Sequence, residues 1–229
     1  MSMDKRAFFL VIEGLDGSGK SLITRLLAEA LESVVGEQRV LLSYEPHDPS
    51  AAGQYIRDVL AHRIRATAYT LALAYALNRA DHGSRVVAPF LDADDADGGR
   101  ILVCDRYYLS SLVYQGAPPL SLEGVWTLNE PMRRPDLILF MDASAETCYQ
   151  RLGQRGGQRE LFDDKLAQRR EQYQRAIGFL GEHGHNIVAV DANPDVPAVL
   201  ANVISALRKH GPSWLDYPAL EAAASAVNL

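Results

Sequence analysis

The sequence predicts an α/β fold in which a five-stranded parallel sheet carries helices on both faces. Three observations predict it. Short apolar runs begin at Phe8 and recur over Arg39–Tyr44, Arg100–Asp105, Leu137–Asp142 and Asn186–Asp191, with helical segments between them. The first run passes straight into a glycine-rich loop, and the later runs finish on acidic residues: Glu45, Asp105, Asp142 and Asp191. In open sheets of this kind ligands gather beyond the carboxyl ends of the strands.

The first element is FFLVIEGLDGSGKS, residues 8–21. Gly14 to Ser21 fits G-x-x-x-x-G-K-[ST], and Leu22 to Val35 continues with helical spacing, placing Leu22, Leu26, Leu27, Ala30 and Leu31 on one side. Strand, loop and helix therefore come in the order that a phosphate-binding loop requires. Backbone N–H groups at a helix N-terminus can meet a triphosphate only if side chains stay out of the way, which explains Gly14, Gly17 and Gly19. Leu15, Asp16 and Ser18 complete the loop around ATP. Lys20 supplies a cation for the outer phosphates, and the Ser21 hydroxyl is a ligand type that holds Mg²⁺. Glycine-rich turns also follow many ordinary strands. The Lys-Ser pair and the correct flanks decide for a three-layer P-loop fold.

Bulk properties limit the function classes. A chain of 229 residues, nearly half of them apolar, reads as one domain over residues 1–229. Its formal charge of −6 gives no footprint for a phosphate backbone, so nucleic acid is not expected as a partner. Cys104 and Cys148 lack both C-x-x-C and metal-ligand spacing, which predicts two buried thiols in a reduced compartment. The N-terminal apolar run is too short to span a bilayer, so no membrane anchor is expected and the cytoplasm is the expected location. Asp92, Asp94, Asp95 and Asp97 miss the calcium-loop spacing and read as a solvated loop. His183 and His185 lie in a polar turn with no expected ligand.

Two further regions carry chemistry. Asp105 ends ILVCD, where a carboxylate can orient Mg²⁺ water opposite the phosphate loop, and Arg106 follows at once. A carboxylate there could also cap the next helix. Downstream, Arg151, Arg155 and Arg159 stand at intervals of four around two glycines. Such arginines can form a solvated helix face, or a mobile lid over about 151–161 that brings cations to a transferring phosphoryl group. No N-K-x-D or LSGGQ-type segment is present, which disfavours regulatory GTPases and transport ATPases.

The motifs GLDGSGKS at 14–21, YEP at 44–46, YALNRADH at 75–82, CDRYYLSSLVYQG at 104–116, RPDLILFMD at 134–142 and DANP at 191–194 resemble the thymidylate kinases, in the same order. The DRY-x-x-SS-x-x-YQG block is the specific part. The resemblance implies that Asp16 binds the sugar 3′-hydroxyl of the acceptor nucleotide. It implies that Arg106 and Arg79 hold the acceptor phosphate with another helical arginine, Arg57. Tyr75 falls where the family stacks a ring on thymine, Ser110, Ser111 and Gln115 fall where polar groups read the base, and Tyr114 falls where an aromatic edge crowds the sugar 2′ position. Glu45 matches a glutamate close to metal and acceptor. The phosphate loop lacks an arginine, so the arrangement is similar to the bacterial type, with the catalytic arginine on the lid; Arg155 is favoured over Arg151 and Arg159.

The resemblance implies transfer of a phosphoryl group from ATP to dTMP with Mg²⁺, by a homodimer. A deoxynucleoside kinase, a kinase for another pyrimidine monophosphate and a noncatalytic nucleotide-binding module are the alternatives. Three features depart from the family pattern. Tyr44 replaces an arginine and His47-Asp48-Pro49 replaces Gly-Gly-Thr; the segment from Arg57 to Tyr75 is short; and the extension over about 211–229, with Trp214 and Tyr217, has no counterpart.

Overall fold

A computed structural model describes residues 7–93, 99–153 and 163–227. Five strands form one parallel sheet in the order β2-β3-β1-β4-β5: β1 Ala7–Gly14, β2 Val40–Tyr44, β3 Arg100–Asp105, β4 Leu137–Asp142 and β5 Ile187–Asp191. The central strand pairs with two neighbours, Ile12 opposite Asp105 on one side and opposite Leu139 on the other. Leu10, Val11 and Ile12 are completely buried because helices cover both faces of the sheet. This agrees with the fold predicted from the apolar runs. Two expected runs start one residue early: Arg39 closes a 3₁₀ turn over Glu37–Arg39 and β2 begins at Val40, and β5 begins at Ile187 rather than Asn186.

Helix α1, Lys20–Val35, starts two residues before the apolar periodicity, since Lys20 and Ser21 form its first turn. Local capping sets the next helices. Ser50 accepts from the Gly53 N–H at α2, Ala51–Leu60, and Thr67 accepts from the Thr70 N–H at α3, Ala68–His82. A wide turn over Gly83–Val87 leads into α4, Ala88–Leu91. Helices α5, Tyr108–Gln115, and α6, Leu122–Asn129, follow β3, and α7, Ala145–Gly153, follows β4. Helix α8, Asp163–Glu182, returns along the sheet, and α9, Val196–His210, follows β5.

The C-terminal extension docks on the body. Its helix α10, Tyr217–Ala226, packs on α1 and α9, with Leu215 and Leu220 buried. The Trp214 ring lies so close to Gly99 that a β-carbon there would come within 2.1 Å of it. Cys104 and Cys148 are buried free thiols. His185 packs edge-on to Tyr108 and Trp126, and His183 lies against Phe179. Asp92 pairs with Arg133, while Asp94, Asp95 and Asp97 lie outside the described residues.

Candidate active site

The loop after β1 is shaped by close approach. Gly17 has a φ of 87°, and a β-carbon there would meet the Cys148 carbonyl oxygen at 2.5 Å, because α7 packs directly on the loop. Gly19, at a φ of 89°, turns the chain into α1. Only glycine takes both conformations without strain. Leu15 and Ser18 are buried beneath the loop, whereas the Asp16 side chain stays 60% exposed.

Lys20 reaches back along this loop, donating to the Leu15 carbonyl and to Asp16 Oδ1, each at 3.3 Å. Its burial, with Arg106 beside it, holds its ammonium below the ordinary lysine range. Burial pushes the Asp16 carboxyl up, but Arg106 and Lys20 outweigh it and leave the group below the usual range. Ser21 Oγ donates to Asp105 Oδ2 at 2.5 Å, while Asp105 Oδ1 is buried with no partner among the described residues. Parallel pairing of β1 with β3 brings these two oxygens together.

Arg106 has a φ of 70°, unusual for a residue with a side chain, and its N–H bonds the Ile12 carbonyl at 2.9 Å. This strained step lifts its side chain to the mouth of the sheet, where the guanidinium meets Asp16, Ser110 and Tyr173. Behind it stands a cleft of about 580 Å³ lined by Asp16, Glu45, Arg57, Tyr75, Arg79, Asp105, Arg106, Ser110, Ser111, Tyr114 and Gln115. Residues from the loops after β1 and β2 and from β3, α2, α3 and α5 thus converge on one cavity. Leu60 and Leu71 add an apolar wall, and Gln115 presents a buried Oε1 with no partner among the described residues.

Within the cleft several side chains sit differently from the expectation. Arg57 is exposed and held by Asp48, with contacts of 2.6 and 3.0 Å, because the His47-Asp48 loop places a carboxylate at its guanidinium. Glu45 stands one residue beyond β2. Its oxygens receive Arg79 Nε at 2.7 Å and His82 Nδ1 at 3.1 Å, so it braces Arg79 rather than facing a metal position. Arg79 is buried and also donates to Ser111 and Asn129. Ser110 is engaged by Glu13 and Arg106. Arg151 is no free lid cation: it donates to the carbonyls of Ser18, Ala192, Asn193 and Pro194 and clamps the phosphate loop to the loop after β5. Arg155 and Arg159, with the lid beyond residue 153, lie outside the described residues.

A family model for thymidylate kinase matches residues 12–203, a span that contains the phosphate loop, the cleft and the Arg151 clamp. The chain belongs to the thymidylate kinase family. A probable thymidylate kinase of Pyrococcus abyssi is 36% identical over 90% of this chain and 97% of its own length. The thymidylate kinase of Ruegeria pomeroyi is also 36% identical, over 91% of this chain and 98% of its own. The crystal structure of an Ehrlichia chaffeensis thymidylate kinase shares the fold with a TM-score of 0.65, at 23% identity over 88% of this chain and 98% of that one.

Glu13, His82, Asn129, Arg169 and Tyr173 do not line the cleft but bond or pack on residues that do, and sequence reasoning missed them. Glu13 gave one signal, a lone acid inside an apolar run. Arg169, with its guanidinium carbon 4.2 Å from the Tyr114 ring centre, and Tyr173 gave none, since α8 lies far from β1 and α5 in sequence and meets them through the fold. Among the described residues, no helix is long and apolar enough to cross a membrane.

Proposed function

We propose that the protein is a thymidylate kinase, transferring the γ-phosphoryl group of ATP to dTMP to give dTDP and ADP. The observation that carries this reading is the cleft beside the phosphate loop, where three arginines, aromatic rings and buried amide and hydroxyl groups converge. Arg106 and Arg79 would grip the acceptor phosphate, with Arg57 joining them on release from Asp48. Tyr75 would stack on the base, Ser111 and Gln115 would read it, and Asp16 would hold the sugar 3′-hydroxyl. The acceptor oxygen is already anionic near neutral pH, so no general base is required. Catalysis is then alignment and charge neutralisation, to which Lys20 contributes a buried cation.

Ser21 and Asp105 fit Mg²⁺, because the hydroxyl and the carboxylate stand in contact, with one carboxylate oxygen left without a partner among the described residues. Bound there, the metal would supply neutralisation between the outer phosphates. The catalytic arginine is assigned to the segment over 151–161, with Arg155 favoured, closing over a single catalytic domain. Cytoplasmic location accords with the two free thiols. Exposed Tyr69, Leu73 and Leu77, at helical spacing on α3, form an apolar stripe that suits a homodimer.

The test is ADP release measured with dTMP, dUMP, dCMP, UMP and thymidine, with Lys20→Ala as the inactive control. Fastest turnover with dTMP is expected. Preference for thymidine would establish a nucleoside kinase instead, and ADP release indifferent to acceptor would remove the kinase reading.

A further inference from the structure

Glu13 lies in the central strand one residue before the phosphate loop and is completely buried, yet nothing in phosphoryl transfer calls for it. Four donors converge on its two oxygens. Oε1 accepts the backbone N–H groups of Tyr107 at 2.8 Å and Ser110 at 3.0 Å; Oε2 accepts the hydroxyls of Ser110 at 2.7 Å and Tyr173 at 3.2 Å. That arrangement suits a carboxylate and leaves no direction for an added proton, even though burial pushes the carboxyl above its ordinary range. Tyr107, the residue that opens α5, offers no side-chain cap, so the cap comes from a different strand.

The consequence reaches Arg106. Its Nη1 donates to Ser110 Oγ at 3.1 Å and to the Tyr173 hydroxyl at 3.3 Å. Each hydroxyl has a single proton. The Ser110 proton is directed to Glu13, which leaves the Ser110 oxygen an acceptor, and the Tyr173 proton faces Glu13 Oε2, the Gly14 carbonyl at 3.1 Å and that Ser110 oxygen at 3.3 Å, all of them acceptors. Both oxygens are therefore left with lone pairs turned toward the guanidinium. An amide in place of the carboxylate would bring donors of its own and turn one or both hydroxyl protons against Arg106.

We propose that Glu13 is a positioning residue for acceptor binding, fixing the Arg106 guanidinium by setting the donor direction of Ser110 and Tyr173. It deepens the reading above and rests on Arg106 gripping the acceptor phosphate. Because Tyr173 belongs to α8, the helix that follows the segment at 154–162, the same network ties that helix to the acceptor side of the site.

Calorimetric dissociation constants for dTMP and ATP, turnover and thermal melts of Tyr173→Phe, Ser110→Ala and Glu13→Gln, alone and combined with Arg106→Ala, test this. Tyr173→Phe should weaken dTMP binding about ten-fold, the factor for one hydrogen bond to a charged group at the low end of its range, with ATP binding unchanged. In the Arg106→Ala background the same substitution should weaken dTMP binding no further, because its route is already gone. Glu13→Gln should act in the same direction and more strongly; if it does not fold, Tyr173→Phe and Ser110→Ala carry the test. Unchanged dTMP binding in both folded variants, or a loss that persists without Arg106, overturns the proposal. If Arg106→Ala alone leaves dTMP binding intact, the acceptor role of Arg106 itself fails.

Discussion

Arg79 Nε and Glu45 Oε2 form an ion pair at 2.7 Å with both side chains almost wholly withdrawn from solvent. The remaining Glu45 oxygen takes His82, which in turn bonds Ser43 at 2.7 Å and stacks on His47. An arginine expected only to touch substrate is therefore also the centre of a buried network that ties the loop after β2 to α3. Removing one partner of such a pair strands a buried charge, at about 3–5 kcal/mol. Glu45→Ala should show that loss as a lower urea midpoint, and Arg79→Ala should lower stability and weaken dTMP binding together. Unchanged midpoints would mean that the network does not support the fold.

Arg151 should separate donor from acceptor. Its four carbonyl partners lie on the phosphate loop and on the loop after β5. Hydrogen bonds to a charged group contribute about 1.5–3 kcal/mol each when solvent is excluded, and less at this partly exposed position. Arg151→Ala is expected to raise KM for ATP, lower the melting temperature and leave KM for dTMP alone. A selective loss of turnover with both KM values intact would return it to the role of lid arginine.

Tyr114 lies against two guanidinium groups, Arg169 at 4.2 Å and Arg106 at 5.5 Å from the ring centre. Cation–π contact with both groups holds the ring at the cleft wall. A ribose hydroxyl pressed against a fixed ring meets steric overlap and desolvation without a partner. Tyr114→Ala should therefore relax the preference for dTMP over its ribose counterpart while costing little stability, as the side chain is only half-buried. Steady-state kinetics with both acceptors, alongside a melt, checks this; an unaltered acceptor ratio in a stable variant removes the barrier role.

The extension after His210 should matter to stability and not to chemistry. It buries Leu215 and Leu220 against the body and pairs Glu221 with Arg208 at 3.1 Å. Each buried leucine contributes about 1.5–3 kcal/mol. Truncation there should lower the melting temperature by several degrees and leave dTMP-dependent turnover measurable. An unaltered melt would show that the packing on α1 contributes nothing, and complete loss of turnover in a folded truncation would place the tail in the site.

The sequence by itself determined the sheet, its strands to within a residue, and the phosphate loop, because these depend on local signals: apolar runs, glycines where φ is positive, and a Lys-Ser pair at a helix start. It also named most residues that line the cleft, since β3 and α5 carry them in one short block. What only tertiary structure decided is which polar groups face the cleft and which hold others in place. Ser110 and Glu45 look like ligand contacts in sequence, yet their oxygens are taken by Glu13, Arg106, Arg79 and His82. Tyr173 reaches the site from 160 residues beyond Glu13. A hydrogen bond fixes direction as well as distance, and in a buried network each donor is assigned by partners far away in the chain. Residue type and spacing carry no record of those assignments.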